Sequence, residues 1–301
     1  MEKRVYDFTE GNRDMKALLG GKGANLAEMT SLGLSIPLGF TLTTKTCNDF
    51  MAAGGEFPEG LWEEVLEHVK TLEKTTGKKF NDPETPLLVS VRSGAPVSMP
   101  GMMDTVLNLG MNDKVAETMI KLTGDERFVW DAYRRFITMF SDVVMGMERH
   151  DFEGVFDKVK EGEGVTGDTE VSVNGLKETV AGMKYLYKEL MEVDFPQDPL
   201  DQLRASIAAV FNSWDIPRAR TYRKFEGIPD DMGTACNVQT MVFGNMGWDS
   251  GSGVMFTRSP SDGAKGLFGE LLFNAQGEDV VAGIRTPIHL SELRDQQPHL
   301  Y

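Results

Sequence analysis

Apolar positions over the first hundred residues come in short runs, broken by glycine and proline. "PLLVSVRS", Pro86 to Ser93, sets branched apolar residues between loop signals and predicts a strand. "GFTLTTKTCNDFM", Gly39 to Met51, predicts a strand, a threonine cap and a helix. Leu61, Val65, Val69 and Leu72 recur at helical spacing, and Gly77 is placed to end that helix. His68 falls on the polar side of the same helix, which predicts a solvent-facing ring.

From about residue 112 the period lengthens. "DERFVWDAYRRFITMFSDVVMG" and "VNGLKETVAGMKYLYKELMEV" predict amphipathic helices, with polar, glycine-rich "KEGEGVTGDTEVSVNG" as a loop between them. "DPLDQLRASIAAVFNSWDIPRARTYRKFEG" predicts a further helix, bent or interrupted near Pro217. Strand signals return at about residue 233. "TACNVQTMVFG" and "VMFTRSP" predict a hairpin around the glycine-rich Gly244 to Gly253, and "GELLFNAQGEDVVAGIRTP" predicts two more strands around a glycine turn. The pattern divides the chain into an α/β part over 1–111, a helical insertion over 112–199, a return helix and strand over 200–243, and a partial second α/β part over 244–301. The expected class is α+β or α/β.

Composition narrows this picture. A chain of 301 residues can bury a sizeable core in two or three subdomains. A net charge of −15 argues against a nucleic-acid partner, yet leaves room for a small phosphate ligand, which needs only a few local cations. Cys47 and Cys236 stand far apart and suggest neither a disulfide framework nor a zinc site. The charged start "MEKRVYDFTE" lacks a signal-peptide pattern, and no apolar run is long enough for a membrane span, so the cytoplasm is the expected compartment.

Candidate chemistry gathers in a few stretches. Gly20, Gly21 and Gly23 surround Lys22, before a helix expected to begin at Asn25. Glycines let a backbone approach an anion, and a helix start offers free N–H groups to it. The same stretch equally fits a glycine turn with a solvated lysine, and the local pattern does not separate the two. It is not a Walker A loop. Arg92 ends the predicted strand and enters "SGAPVSMPGMMDT". An arginine there suits two-pronged phosphate binding or a surface ion pair. The methionines of this loop fit a ligand cover or core filler, and Asp104 fits a hydrogen bond within the loop or a cationic partner. Arg258 follows the glycine-rich stretch, and Glu270 and Glu278 are carboxylates that could lie near a metal, although no spacing defines a metal site.

"GGKGANLAEM", "LLVSVRSGAPVSMPGMMDTVLNLG", "YRRFITMFSDVVMG", "NVQTMVFGN", "SGSGVMFTRSP" and "NAQGEDVVAGIRTP" resemble, in order and spacing, the pyruvate phosphate dikinases, and the resemblance runs along essentially the whole chain. It implies an ATP-grasp-like nucleotide-binding domain, incomplete at its C-terminal side. In that family the domain uses ATP and inorganic phosphate to phosphorylate a histidine on a swivelling domain, releasing AMP and diphosphate. A C-terminal barrel then interconverts pyruvate and phosphoenolpyruvate and commonly forms homodimers. By resemblance, Lys22 and Arg92 are catalytic and bind ATP phosphates, with Gly101, Met103, Asp104 and Thr105 in the loop beside them. Arg135 is a further phosphate candidate. Gln239, Thr240, Met241 and Val242 lie along the adenine, and Gly251 and Gly253 belong to a loop over the triphosphate. The family's magnesium ligands, phosphohistidine motif and barrel fall in segments that this sequence does not contain. The expectation is therefore nucleotide binding without turnover by this chain alone. Two other readings stand beside it: a stand-alone nucleotide- or partner-binding module, and a part of a water-dependent dikinase, which "SMPGMMDT" disfavours.

Overall fold

The computed structural model describes residues 3–282 and 285–298, in two compact units, 1–241 and 242–301. The first unit opens with β1 (Val5–Asp7), α1 (Lys16–Ser31), β2 (Gly39–Leu42), α2 (Thr44–Ala52) and α3 (Leu61–Thr76). It continues through β3 (Val89–Gly94) and β4 (Thr105–Leu109). The helices α4 (Asp113–Thr123), α5 (Glu126–Met139), α6 (Arg149–Glu163), α7 (Val173–Met191), α8 (Pro199–Asn212) and α9 (Pro217–Glu226) follow, and β5 (Ala235–Thr240) closes the unit. Its five strands are all antiparallel to their neighbours, in the order β1-β2-β5-β3-β4. The last strand in sequence thus lies at the centre, inserted between two early ones. Helix and sheet are mixed with antiparallel pairing, which makes the fold α+β.

Capping follows the sequence signals. Thr43 caps α2 by accepting from the Thr46 N–H, and Gly77 ends α3 in the left-handed region. The chain breaks between α8 and α9, where Pro217 opens the new helix. The insertion is richer in helices than its pattern predicts. Its glycine-rich stretch is not one loop, because α6 runs through Glu163 and α7 begins at Val173. Aromatic rings hold this bundle: Phe195 is met edge-on by Tyr187 at 5.2 Å, Phe140 at 5.5 Å and Phe136 at 5.8 Å. Both cysteines are buried free thiols.

The second unit contains β6 (Gly251–Arg258), β7 (Lys265–Phe273), α10 (Gly277–Ala282), β8 (Ile288–His289) and α11 (Leu290–Gln296), with strand order β6-β7-β8. This corrects three expectations. Strand β5 does not pair with β6, so residues 241–250 connect two sheets and the glycine-rich stretch is not a hairpin tip. Gly251 and Gly253 open strand β6 and are not in a loop. The second strand expected in "GELLFNAQGEDVVAGIRTP" is instead the helix α10, with Glu278 in its first turn, while residues 283 and 284 lie outside the described residues. A continuous apolar run fits a strand or a buried helix equally well, and here the helix wins. Glu270 sits on β7, opposite Val254 of β6 and His289 of β8. Among the described residues no helix is long and apolar enough to cross a membrane.

Candidate active site

The start of α1 is built against the end of β3. Gly20 has φ 68° and ψ 173°, which breaks the helix there. A Cβ at Gly20 would stand 1.5 Å from the Gly94 carbonyl oxygen, so only glycine fits. Helix α1 therefore resumes at Gly21, four residues before the expected start at Asn25. The Gly21 N–H donates to the Ala95 carbonyl oxygen at 3.0 Å, and Lys22 Nζ donates to the Ser93 carbonyl oxygen at 2.8 Å. The glycines thus serve close packing of helix on strand, and the N–H of Gly21 is already taken.

This junction forms one wall of a cleft of about 540 Å³. Lys16, Lys22 and Asn25 line it from α1, Ser93 and Gly94 from β3, and the loop from Ala95 to Met103 closes the other side. Gly101 (φ 71°) supplies the left-handed turn in that loop, and Met103 and Thr105 also face the cleft. Loss of hydration among these walls, then the positive charge of Arg92, bring the Lys22 amine down to about 8. Arg92 is exposed in a strand whose other residues are all buried. Lys22 and Arg92, seventy residues apart in sequence, therefore act on one another at one end of the sheet.

The other candidates divide. Asp104 turns toward Arg218 of α9, which pairs with it and also donates Nε to the Met102 carbonyl oxygen at 3.3 Å. Burial pushes the Asp104 carboxyl up, against the pull of Arg218. Arg135 lies on α5 and donates Nε to Asp131 at 2.9 Å, beside Arg134, which bonds the same carboxylate. Burial of Asp131 is outweighed by Arg134, Arg135 and Arg127, which hold its carboxyl below the usual range. That cluster is an interior ion network in the insertion. Gln239 is buried at the end of the central strand, and its Nε2 donates to the Pro37 carbonyl oxygen. The N–H groups of Thr240 and Met241 are used by the Leu38 and Leu88 carbonyls. Strand β5 ends at Thr240, and Val242, 70% exposed, begins the second unit, where Gly251, Gly253 and Arg258 also lie.

Two features escaped the sequence pattern. Lys16 lines the cleft, although nothing local marks it from other helical lysines. His68 is not solvent-facing: its Nδ1 lies 2.6 Å from Asp7 Oδ1, with Glu10 close by. Among the described residues Asp7, Glu10 and His68 could gather round a cation, but none of them lines the Lys22 cleft. The cleft lining contains no carboxylate, so it does not offer the donor set that magnesium prefers.

The antiparallel sheets and the helices mixed with them make an α+β domain, consistent with the ATP-grasp-like fold that the resemblance implies. The defining pattern of the pyruvate phosphate dikinase AMP/ATP-binding domain matches residues 16–55 and 53–298, and the chain belongs to that family. A pyruvate, phosphate dikinase of Clostridium symbiosum is 55% identical over 302 residues, which cover all of this chain and 35% of that protein. Chloroplastic pyruvate, phosphate dikinases 1 of Arabidopsis thaliana and Oryza sativa subsp. japonica are 54% and 55% identical, again over the whole chain and 32% of their own lengths. The chain thus spans about a third of the length of these relatives.

Proposed function

We propose that this chain is the nucleotide-binding part of a pyruvate, phosphate dikinase, and that Lys22 and Arg92 hold the phosphates of ATP. The observation that carries this is the convergence of the two cations beside a roomy cleft without carboxylates. A polyanion entering there meets an amine held near 8 and the residues of the Ala95–Met103 loop, with the guanidinium of Arg92 as the neighbouring cation. Positive charge fixed in advance offsets the charge spread over transferring phosphoryl oxygens without further reorganisation. Gly101, Met103, Asp104 and Thr105 shape the loop, with Asp104 acting through its tie to Arg218. Gln239, Thr240 and Met241 would lie along the base. Arg135 serves the fold of the insertion before any ligand, since Asp131 already engages it.

In the longer enzyme this chemistry would phosphorylate a histidine on a mobile domain, using ATP and inorganic phosphate and releasing AMP and diphosphate. The phosphoryl group would then pass to pyruvate, giving phosphoenolpyruvate in a cytoplasmic homodimer. Magnesium would be held elsewhere in the longer enzyme, since the cleft lining offers it no carboxylate. Titration of AMP, ADP and ATP into the chain tests the binding claim: affinity should rise with each phosphate, and equal affinity for AMP and ATP would sink it. Joined to the phosphohistidine and pyruvate domains of a relative, the chain should form AMP only when inorganic phosphate is added. AMP formed equally fast without phosphate would favour the water-dependent chemistry.

A further inference from the structure

One row of residues crosses the five-stranded sheet beneath the cleft. Thr41 on β2 stands opposite Asn237 on β5, Asn237 opposite Arg92 on β3, and Arg92 opposite Thr105 on β4. Directly opposed residues of antiparallel strands present their side chains on one face. Helix α1 lies on that face at its glycines. A Cβ on Gly23 would come 2.8 Å from Thr41 Oγ1 and 2.9 Å from Asn237 Oδ1. A Cβ on Gly94 would come 2.6 Å from Asn237 Nδ2 and 3.4 Å from the Lys22 Cβ.

The Asn237 amide is 1% exposed and sits where these parts meet. Its Oδ1 accepts from Thr41 Oγ1 at 2.9 Å, and its Nδ2 donates to the Arg92 carbonyl oxygen at 3.4 Å. A buried amide is costly unless its hydrogen bonds are made, and those bonds are directional. An apolar side chain of the same size would fill the space but could slide. Asn237 touches the backbone of the arginine and the glycine next to the lysine, yet lines no part of the cleft itself.

We infer that Asn237 is a positioning residue: its amide fixes the spacing between the helix start that carries Lys22 and the strand end that carries Arg92. This rests on the phosphate-binding reading of those two cations. The bonds from Lys22 Nζ to Ser93 and from the Gly21 N–H to Ala95 tie the same helix to the end of β3 and to the residue that follows it, and both depend on that spacing. Two cations bind a triphosphate together only when their separation suits it, so a small drift of α1 weakens binding without unfolding the sheet.

The titration of Lys22, followed by the NMR shift of its Cε carbon in the 301-residue chain, reads the spacing without any nucleotide. Lys16 from its own helix is the other charged side chain in the cleft lining, and Arg92 from β3 is the charged neighbour that lowers the Lys22 amine. The wild-type midpoint is expected near 8. In Asn237→Leu it should move up, toward the ordinary 10.5, by half a pH unit or more, and ATP affinity at pH 7 should fall about tenfold, or 1.4 kcal/mol. Thr41→Val, which removes only the donor to Oδ1, should move both in the same direction, and Thr41→Ser, which keeps the hydroxyl, should restore them. If Asn237→Leu does not fold, the threonine pair alone decides. Variants that melt earlier but keep the wild-type midpoint and affinity would overturn the inference and leave Asn237 a core residue. A wild-type chain that ignores ATP would sink the phosphate reading, while the Lys22 midpoints would still decide the role of Asn237.

Discussion

Raising the pH from 7 to 9 should discharge the Lys22 amine in the cleft. With its amine near 8, Lys22 is about nine-tenths charged at pH 7, half charged at pH 8 and about one-tenth charged at pH 9. A phosphate beside Lys22 favours the ammonium form, so ATP binding should draw a proton onto the amine. The uptake should be about 0.1 proton per ATP at pH 7, about 0.5 at pH 8 and about 0.9 at pH 9. Phosphate monoesters lose their second proton near pH 6, so most of the change above pH 7 belongs to the protein. Over the same span the observed affinity should fall about tenfold. Calorimetry in two buffers of different ionisation enthalpy measures both quantities. An affinity flat from pH 7 to 9, with no proton uptake, would refute the placement of Lys22 against the phosphates. In the empty protein the sign reverses. The unfolded chain carries Lys22 at its ordinary 10.5 and the folded chain near 8. Between those values the unfolded state binds more protons, so this residue makes the fold more stable as pH rises. Lys22→Met should accordingly raise the melting temperature of the empty protein at pH 7, by about 1–2 °C given the open side of the cleft, while weakening ATP binding.

Gly20→Ala should cost at least about 3 kcal/mol in urea unfolding, from a left-handed alanine plus a Cβ driven into the β3 backbone. A loss below about 1 kcal/mol would contradict the packing at that junction. Asp131→Ala should cost about 2–4 kcal/mol, somewhat less than the breaking of a lone buried pair, because Arg134 keeps Asp168 at 3.3 Å. Thermal melts compared with Asp131→Asn check this, and indifference to the change would refute it. Arg218→Ala should speed amide hydrogen exchange at residues 102–105 while leaving global stability within about 0.5 kcal/mol. Unchanged exchange would show that the loop stands without its arginine tie.

The strands were legible where alternation or a branched apolar run met punctuation, as at Val89–Gly94 and Ala235–Thr240. Their order was not, because pairing β5 between β2 and β3 depends on contacts about 140 to 200 residues apart. The start of α1 was misplaced for a physical reason. Gly20, Gly21 and Gly23 are poor helix formers, and only their fit against β3 and β5 turns them into a helix start. His68 was misread because helical periodicity says which side a residue takes but not that Asp7 of a neighbouring strand waits there. The two principal cations were visible as residues, but a lysine in a glycine turn and an arginine at a strand end have bland explanations locally. Resemblance tied them together in sequence, and the fold puts them at one end of one sheet. Asn237 gave no signal, since an asparagine inside a strand pattern is ordinary until its neighbours on three elements are known.

The convergence of Lys22 and Arg92 on the phosphates is tested most directly by titrating ATP into the wild-type chain, Lys22→Ala, Arg92→Ala and the double variant, each with a melting curve. A charge-assisted contact contributes about 1.5–3 kcal/mol, so each single change should weaken ATP about 10- to 100-fold and leave AMP and the melt nearly untouched. The double variant should lose less than the sum of the two, because the cations share one ligand. ATP affinity unchanged in both single variants, with intact melts, would contradict the account.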